Sequence, residues 1–177
     1  LPHYDSYDEN IKRADAVRYF LLYHYGGIYA NLDFRCLRPF DELYDLPLAA
    51  DADVILGQLS RAARENSVPN AIMISRPRAP FWLSVMQELV RRVNMSTAMF
   101  DTGSALLHHV YQARGKDQRV TLLPREYLYP IDWTTTPGWV HMHKWKRALQ
   151  GDTFYNRTST TFAVSYWMHT YGTVAHG

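Results

Sequence analysis

The 177 residues are enough for one sizeable hydrophobic core and too few for two ordinary domains, so we expect a single domain over residues 1–177. The net charge of +2 arises from interspersed acids and bases, which argues against a dedicated nucleic-acid groove or a basic membrane-binding face. The single cysteine, Cys36, excludes an intrachain disulfide and a paired-cysteine metal site.

The chain shows few signs of its cellular location. No apolar run approaches the roughly 20 residues that cross a bilayer, and no signal peptide begins the sequence. The sequence starts at Leu1 without an initiator Met, so we expect further residues upstream. Two sequons, Asn94-Met95-Ser96 and Asn156-Arg157-Thr158, would accept N-glycans if the chain enters a secretory lumen.

The first predicted elements are a helix and a strand joined by two glycines. Asp8-Glu9-Asn10 precedes IKRADAVRYFLLYHY, whose apolar residues recur at helical spacing, and Gly26-Gly27 ends the helix. Those apolar positions are Ile11, Ala14, Val17, Leu21 and Leu22. GIYANLDF then reads as a strand, in which alternating side chains would place Asn31 and Asp33 on the face of Tyr29 and turn Leu32 into the protein.

Strands and helices alternate through the rest of the chain. Strands are predicted at 53–59 and 70–75, and helices in PFWLSVMQELVRRVN from Pro80 and in DTGSALLHHVYQARG, where Asp101 or Thr102 would form the N-cap. The segments RVTLLP, REYLYPI and TTFAVSYW read as short strands, and TTTPGW at 134–139 as a loop that could lie over a site. This alternation predicts an α/β layered domain.

Two charged residues of the first helix stand before the acidic end of the predicted strand. Asp15 and Arg18 are three residues apart and therefore lie on one helical face. A surface salt bridge of little energetic weight would also explain the pair. The order of the groups favours a binding site. The acid, the cation and the Tyr29 ring suit a nucleotide-sugar donor. The oxygen donors of Asn31 and Asp33 suit the divalent ion that neutralises the diphosphate of such a donor.

The same segment resembles a known family. IKRADAVRYFLLYHYGGIYANLDFRCLRPFDEL is similar to the signature of glycosyltransferase family 32 and its DXD sugar-binding relatives, which include initiating α-1,6-mannosyltransferases. In that signature an R-x-D-x-x-R-Y helix is followed by G-G-I-Y and D-x-D. The segments NAIMISRPRAPFW, DTGSALL, YPIDW and FAVSYWMHTYG resemble later parts of the family pattern, so the resemblance extends over the whole chain.

The resemblance implies a fold and a reaction. The fold would be a GT-A-type, Rossmann-like layered α/β domain with a mostly parallel central sheet flanked by helices, here lacking its first strand or strands. The reaction would be hexosyl transfer with retention at the anomeric carbon, from a GDP- or UDP-sugar donor to a glycan, glycoprotein or other hydroxyl acceptor. Mn²⁺ or Mg²⁺ would assist it. The family also implies residence in the Golgi or another secretory lumen, as a type II membrane protein whose anchor lies outside these residues.

The family pattern also implies roles for individual residues. Asp15 would hold donor sugar hydroxyls, Arg18 would contact hydroxyls or phosphate, and Asp33 would be the principal metal ligand. These three form the implied catalytic set. The further implied donor-binding residues are Tyr29, Asn31, Asn70, Thr102 and Gly103.

The sequence departs from the family pattern at four positions. Asn31 replaces the first Asp of the DXD motif and removes one negative charge from the metal site while keeping an oxygen donor. Ser165 replaces an expected His that could be a second ligand, for which His169 could substitute. Ser104 replaces a Pro and Tyr171 a Trp.

Two other readings compete with an active transferase. A non-catalytic relative that binds a sugar nucleotide or a glycan partner would explain Asn31 and Ser165. A metal-dependent hydrolase would need clustered His and Asp ligands, whereas His108-His109, His141 and His143 are scattered along the chain. The sequence therefore favours a glycosyltransferase, with the non-catalytic relative as the alternative.

Overall fold

The computed structural model describes residues 2–59, 67–130 and 160–165. The predictions for the TTTPGW loop, Asn156, His169 and Tyr171 lie outside these residues.

Helices alternate with short strands through the described chain, as the sequence predicts. The helices are α1 (Pro2–Asp5), α2 (Asn10–Tyr25), α3 (Pro80–Arg91), α4 (Ala98–Asp101), α5 (Ser104–Arg114) and α6 (Arg125–Leu128), with a 3-10 turn at Phe40–Leu43. The strands are β1 (Gly27–Ala30), β2 (Phe34–Cys36), β3 (Val54–Gly57), β4 (Ile72–Ser75), β5 (Val120–Leu123) and β6 (Ala163–Ser165).

A four-stranded mixed sheet forms the centre of the fold, in the order β1-β4-β3-β5. Among the described strands of this sheet, β4 pairs antiparallel with both β1 and β3, whereas β3 and β5 are parallel. β2 and β6 form a separate antiparallel pair in which Phe34 lies opposite Ser165.

Hydrophobic side chains cover both faces of the sheet, because successive residues of a strand point to opposite sides. Val54, Leu56 and Met73 pack on one side with the helices, whereas Ile55 and Ile72 pack on the other. The helical side contains α2 against α3 and α3 against α5. The protein is therefore a layered α/β structure, as the sequence predicts.

The prediction of a mostly parallel sheet is wrong, because two of the three strand pairs described in this sheet are antiparallel. A parallel neighbour needs a crossover connection, usually helical, and the chain between the parallel strands β3 and β5 contains β4 and the helices α3 to α5. The sequence contains no predicted helix between β3 and β4, and consecutive strands without a crossover pair antiparallel. The alternation of elements thus predicted the layers correctly, whereas the strand directions implied by the family resemblance are wrong.

The predicted strand GIYANLDF is interrupted by a turn. Asn31 N–H still bonds to Ala71 O at 2.8 Å, but the Asn31 carbonyl accepts from Phe34 N–H at 3.2 Å and reverses the chain there. Leu32 consequently points outward and is fully exposed, at 104% of the reference area, instead of facing the protein. The turn ends the alternation of side chains along the strand, from which the inward orientation of Leu32 was predicted.

α2 buries a different face from the one its apolar residues indicate. Val17 and Leu21 are exposed, and Ala14 is exposed as well. The buried residues are Lys12, Asp15, Ala16, Arg18, Tyr19 and Leu22. The helix therefore turns charged side chains inward, where other residues satisfy them.

Two local predictions toward the end of the chain are also wrong. REYLYPI begins as the short helix α6 instead of a strand, with Pro124 before its first turn. Neither Asp101 nor Thr102 caps α5, because Asp101 belongs to α4 and Gly103 occupies the N-cap position. Gly115 ends α5 as predicted.

In the described part of the chain, no helix has the length and apolarity needed to cross a membrane.

Candidate functional site

An open cleft of about 1230 Å³ lies between α2, the end of β1 and the segment before α5. One wall contains Asp15 and Arg18 of α2, and the turn 31–33 forms another. Ser96–Met99 with Gly103-Ser104 lines the opposite side, and Ser165 of β6 reaches the cleft next to Asp33. Segments far apart in the sequence thus meet at one site.

Asp15 and Arg18 form a buried ion pair in this cleft. Arg18 Nη2 lies 2.8 Å from Asp15 Oδ1, and both residues are buried. The guanidinium also donates through Nη1 to Asn70 O at 2.9 Å and through Nε to Ala14 O at 3.2 Å. These contacts engage all three guanidinium nitrogens and fix its plane. The pair is therefore not the solvated surface bridge that its spacing alone would allow.

Three neighbours hold the Asp15 carboxylate and its surroundings in place. Asn70 Nδ2 donates to Asp15 Oδ1 at 3.0 Å, and Thr102 Oγ1 donates to Asp15 Oδ2 at 3.2 Å. Tyr19, which is fully buried, accepts from Asn70 Nδ2 at 3.1 Å and donates to Thr102 O at 2.8 Å. Tyr19 thereby holds the Asn70 side chain and the Thr102 backbone in place.

The electrostatic environment of Asp15 has opposing contributions. Burial raises the pKa of the Asp15 carboxyl, while the Arg18 charge and the hydrogen bonds from Asn70 and Thr102 lower it. Burial is the stronger effect, so the pKa of Asp15 lies above its ordinary value. Burial likewise raises the pKa of Tyr19.

Tyr29 connects the ion pair to the turn 31–33. The Arg18 guanidinium lies over the Tyr29 ring at 4.5 Å from its centroid, a cation–π contact. The Tyr29 hydroxyl donates to Asn31 Oδ1 at 3.0 Å. This confirms the expected proximity of Tyr29 and Asn31.

Asp33 follows Asn31 in the turn and contacts the last described strand. Ser165 Oγ donates to Asp33 Oδ2 at 3.2 Å, because the pairing of β2 with β6 places Ser165 opposite Phe34. The position at which the family pattern has His is thus next to Asp33.

The donor set of the turn fits a divalent cation that retains other ligands. The Asp33 carboxylate and the Asn31 amide oxygen are hard oxygen donors on one wall of the cleft. Within residues 2–59, 67–130 and 160–165, no group of three or more His, Cys, Asp or Glu side chains is placed to hold a metal. Mg²⁺ typically keeps waters and substrate phosphates alongside one or two carboxylates, so the small donor set is compatible with such an ion.

The structure brings the predicted site residues together. The cleft is lined by Asp15, Arg18, Tyr29, Asn31, Asp33, Asn70 and Gly103, and Thr102 lies directly behind Asp15. The candidate ligand His169 lies outside the described residues.

The sequence did not predict a role in the site for three further residues near the cleft. Tyr19 occurs in the R-x-D-x-x-R-Y pattern, but its contacts with both Asn70 and Thr102 could not be read from it. Lys12 and Asp101 were missed because charged residues are ordinarily solvated. Lys12 lies three residues before Asp15, and that spacing was the available signal for a shared helical face.

Comparison with known sequences gives a family match at the amino-terminal part of the chain. Residues 1–49 match the family described as the glycosyltransferase sugar-binding region containing the DXD motif. The matched region ends beyond Asp33 and includes all of α2, β1 and β2.

The curated relatives are fungal enzymes. Inositol phosphoceramide mannosyltransferase 3 of Schizosaccharomyces pombe is 36% identical over 64% of this chain and 30% of its own length. Inositol phosphoceramide mannosyltransferase 2 of the same organism is 30% identical over 75% of this chain and 39% of its own length. A mannosyl phosphorylinositol ceramide synthase of Saccharomyces cerevisiae is 42% identical over 50% of this chain and 21% of its own length.

The chain thus covers between 21% and 39% of these three relatives. Among solved structures, the PaToxG glycosyltransferase aligns with 58% of this chain and 34% of its own, at 17% identity and a TM-score of 0.43.

Proposed function

We propose that this chain, which is homologous to mannosyltransferases and contains the sugar-binding region of DXD-motif glycosyltransferases, is the donor-binding part of a retaining hexosyltransferase. The substrate would be a nucleoside-diphosphate sugar, and mannose is the hexose that the names of the relatives favour. One observation carries the proposal. The buried Asp15–Arg18 pair and the Asn31–Asp33 turn line the same cleft.

The cleft offers complementary groups to each part of such a donor. The Asp15 carboxylate accepts hydrogen bonds from sugar hydroxyls, and its orientation is fixed by Asn70 and Thr102. Arg18 attracts the diphosphate or further hydroxyls. The Tyr29 ring borders the sugar or nucleotide, with Gly103 on the opposite side of the cleft.

A divalent ion, Mn²⁺ or Mg²⁺, would be held by Asp33 and Asn31 and by the diphosphate itself. When bound, it would neutralise the charge that develops on the leaving diphosphate. Asn31 supplies one negative charge fewer than an Asp would, so we expect weaker metal affinity than in a site with two carboxylates.

The proposed transfer conserves atoms and charge. The bond between the anomeric carbon and the diphosphate oxygen breaks, and a bond from the acceptor oxygen forms on the same face of the sugar. The acceptor hydroxyl proton passes to the departing diphosphate. Retention is proposed from the family resemblance.

The relatives also suggest an acceptor, and the family resemblance suggests a location. Their names favour a hydroxyl of an inositol phosphoceramide over a protein-linked glycan, and we propose the former as the acceptor. We further propose that the protein acts in the Golgi or another secretory lumen. The Asn94 sequon is compatible with this location because Asn94 is exposed.

The replacement of an Asp by Asn31 favours one alternative, a non-catalytic protein that binds sugar nucleotide. Measuring the melting temperature of the full-length protein with Mn²⁺ and GDP-mannose, UDP-glucose or UDP-galactose would identify the donor, because a ligand that binds only the folded state raises that temperature. Turnover of the selected donor with and without Mn²⁺ would then separate the two functions. A metal-dependent transfer product supports the proposed enzyme, whereas binding without any product supports the alternative.

A further inference from the structure

A second buried charged cluster lies beside the cleft, one helical turn before Asp15. Lys12 is 1% exposed, and its Nζ lies 2.9 Å from Asp101 Oδ2 and 3.0 Å from Asp8 Oδ1. The same ammonium donates to Ser96 O at 2.9 Å. Burial alone would lower the pKa of Lys12, but the hydrogen bonds and charges of Asp101 and Asp8 outweigh it and raise the pKa. The ammonium is therefore fully charged at neutral pH.

Asp101 completes a clamp around one residue of the cleft wall. Asp101 is also 1% exposed, and its Oδ2 accepts from Ser96 N–H at 3.0 Å. The ion pair thus binds both backbone polar groups of Ser96, its N–H through Asp101 and its carbonyl through Lys12. Ser96 begins the Ser96–Met99 wall, which faces the ion pair of Asp15 across the cleft.

The clamp continues into the contacts that orient Asp15. Thr102 follows Asp101 directly, donates to Asp15 and accepts from Tyr19. Three residues on the buried face of α2 therefore hold the segment 96–102 at successive points: Lys12, Asp15 and Tyr19. A shift of Asp101 would move Thr102 with it.

We propose that the Lys12–Asp101 ion pair is a positioning device that fixes the Ser96–Met99 wall and the Thr102 hydroxyl, and thereby sets the affinity of the cleft for its nucleotide-sugar donor. This inference rests on the proposed function. A buried ion pair adds little net stability, since the cost of desolvating two charges offsets their attraction. Its distinctive effect is a fixed geometry, and here that geometry belongs to the cleft.

A double variant separates positioning from stability. In full-length Lys12→Met/Asp101→Leu, no uncompensated buried charge remains, so we expect a melting temperature close to that of the wild type. The Ser96 clamp is nevertheless lost. The KM for the donor should rise at least about tenfold with kcat changed less than about threefold, which is the pattern of lost binding in the ground state. Amide hydrogen exchange at Ser96 should accelerate while that of α3 is unchanged.

Arg119→Met/Asp53→Leu is the matched control, because Arg119 pairs with Asp53 away from the cleft. It should leave the donor KM unchanged. If the double variant at Lys12 and Asp101 does not fold, Asp101→Asn keeps the side-chain volume but removes the charge that pairs with Lys12, so it should still raise the donor KM.

Two results would overturn the inference. The first is that Lys12→Met/Asp101→Leu folds and keeps the donor KM of the wild type. The second is that the donor KM of the single and double variants rises only in proportion to the fall in their melting temperatures. Failure of the wild type to bind or turn over any donor would instead refute the proposed function, and this inference with it.

Discussion

Asp15 is held by Arg18, Asn70 and Thr102 at distances between 2.8 and 3.2 Å. Such a carboxylate cannot reorient easily, so its remaining acceptor capacity is directed into the cleft. Its state of ionisation then decides how strongly it accepts a hydrogen bond from a sugar hydroxyl, because a protonated carboxyl is the weaker acceptor.

The raised pKa of Asp15 predicts that donor binding weakens in mild acid. The carboxyl becomes protonated as pH falls through its raised pKa, and the charged acceptor for the sugar hydroxyl is replaced by a weaker, neutral one. Arg18 lowers that pKa, so Arg18→Gln should move the midpoint of this loss to higher pH. Donor affinity measured by calorimetry from about pH 4 to 8 tests the shift. An unchanged or lower midpoint in Arg18→Gln, compared with an Arg119→Gln control, would contradict it.

Asp33→Ala should abolish metal-dependent nucleotide binding and transfer, because it removes the carboxylate that the turn supplies to a cation. The loss of the Ser165 hydrogen bond should cost about 0.5 to 1.5 kcal/mol of stability. Ser165→Ala is the matched control, since it removes the same hydrogen bond and leaves the carboxylate. Wild-type turnover with undiminished metal dependence in Asp33→Ala would show that Asp33 is not the metal ligand.

Asn31→Asp should strengthen metal binding. It adds one negative charge at the same side-chain length and keeps an acceptor for the Tyr29 hydroxyl. The gain should be roughly 1 to 3 kcal/mol, which lowers the half-saturating Mn²⁺ concentration by a factor of about 5 to 160. Titration calorimetry with Mn²⁺ measures it directly. No metal binding in either form would favour the non-catalytic alternative.

At the scale of elements, the sequence predicted α2, α3, α5, β3, β4 and β5 because each carries a clear period or a clear stop. Prediction from the sequence failed where contacts between distant segments determine the local structure. The turn after Asn31 reversed a strand that its apolar pattern would continue, and Leu32 became exposed. α2 turned Lys12 and Asp15 inward because partners for them come from distant segments, which no local pattern reveals.

The glycine pair between α2 and β1 provides an element-scale test. Gly26 has φ +66°, and a Cβ there would lie 2.6 Å from Pro77 N and 2.9 Å from Ser75 O. Gly27 has φ +86° but nothing within 4 Å of its Cβ position. Gly27→Ala should therefore cost about 1 kcal/mol from backbone strain, and Gly26→Ala distinctly more, about 2 to 4 kcal/mol. Chemical denaturation measures both. Equal losses would show that the close approach to β4 is unimportant.

Across the whole molecule, the cleft unites α2, the turn 31–33, Asn70, the segment 96–104 and Ser165. The family pattern predicted which residues line the cleft, because the motifs of this sequence occur in the same order as those of the family that it resembles. It could not predict the Lys12–Asp101 clamp or the contacts of Tyr19, because their partners Asp101 and Thr102 lie more than 80 residues away in the sequence.

We propose that this cleft binds the donor sugar of a mannosyl transfer. The most direct measurement is transfer of labelled mannose from GDP-mannose to inositol phosphoceramide by the full-length protein with Mn²⁺, comparing wild type, Asp15→Asn and Asp53→Asn. Both variants remove one negative charge, but Asp53 pairs with Arg119 outside the cleft. We predict product from the wild type, a loss of at least about 100-fold in kcat/KM for Asp15→Asn, and a change below about twofold for Asp53→Asn. Absence of product from the wild type, or equal activity of Asp15→Asn and wild type, would contradict the account.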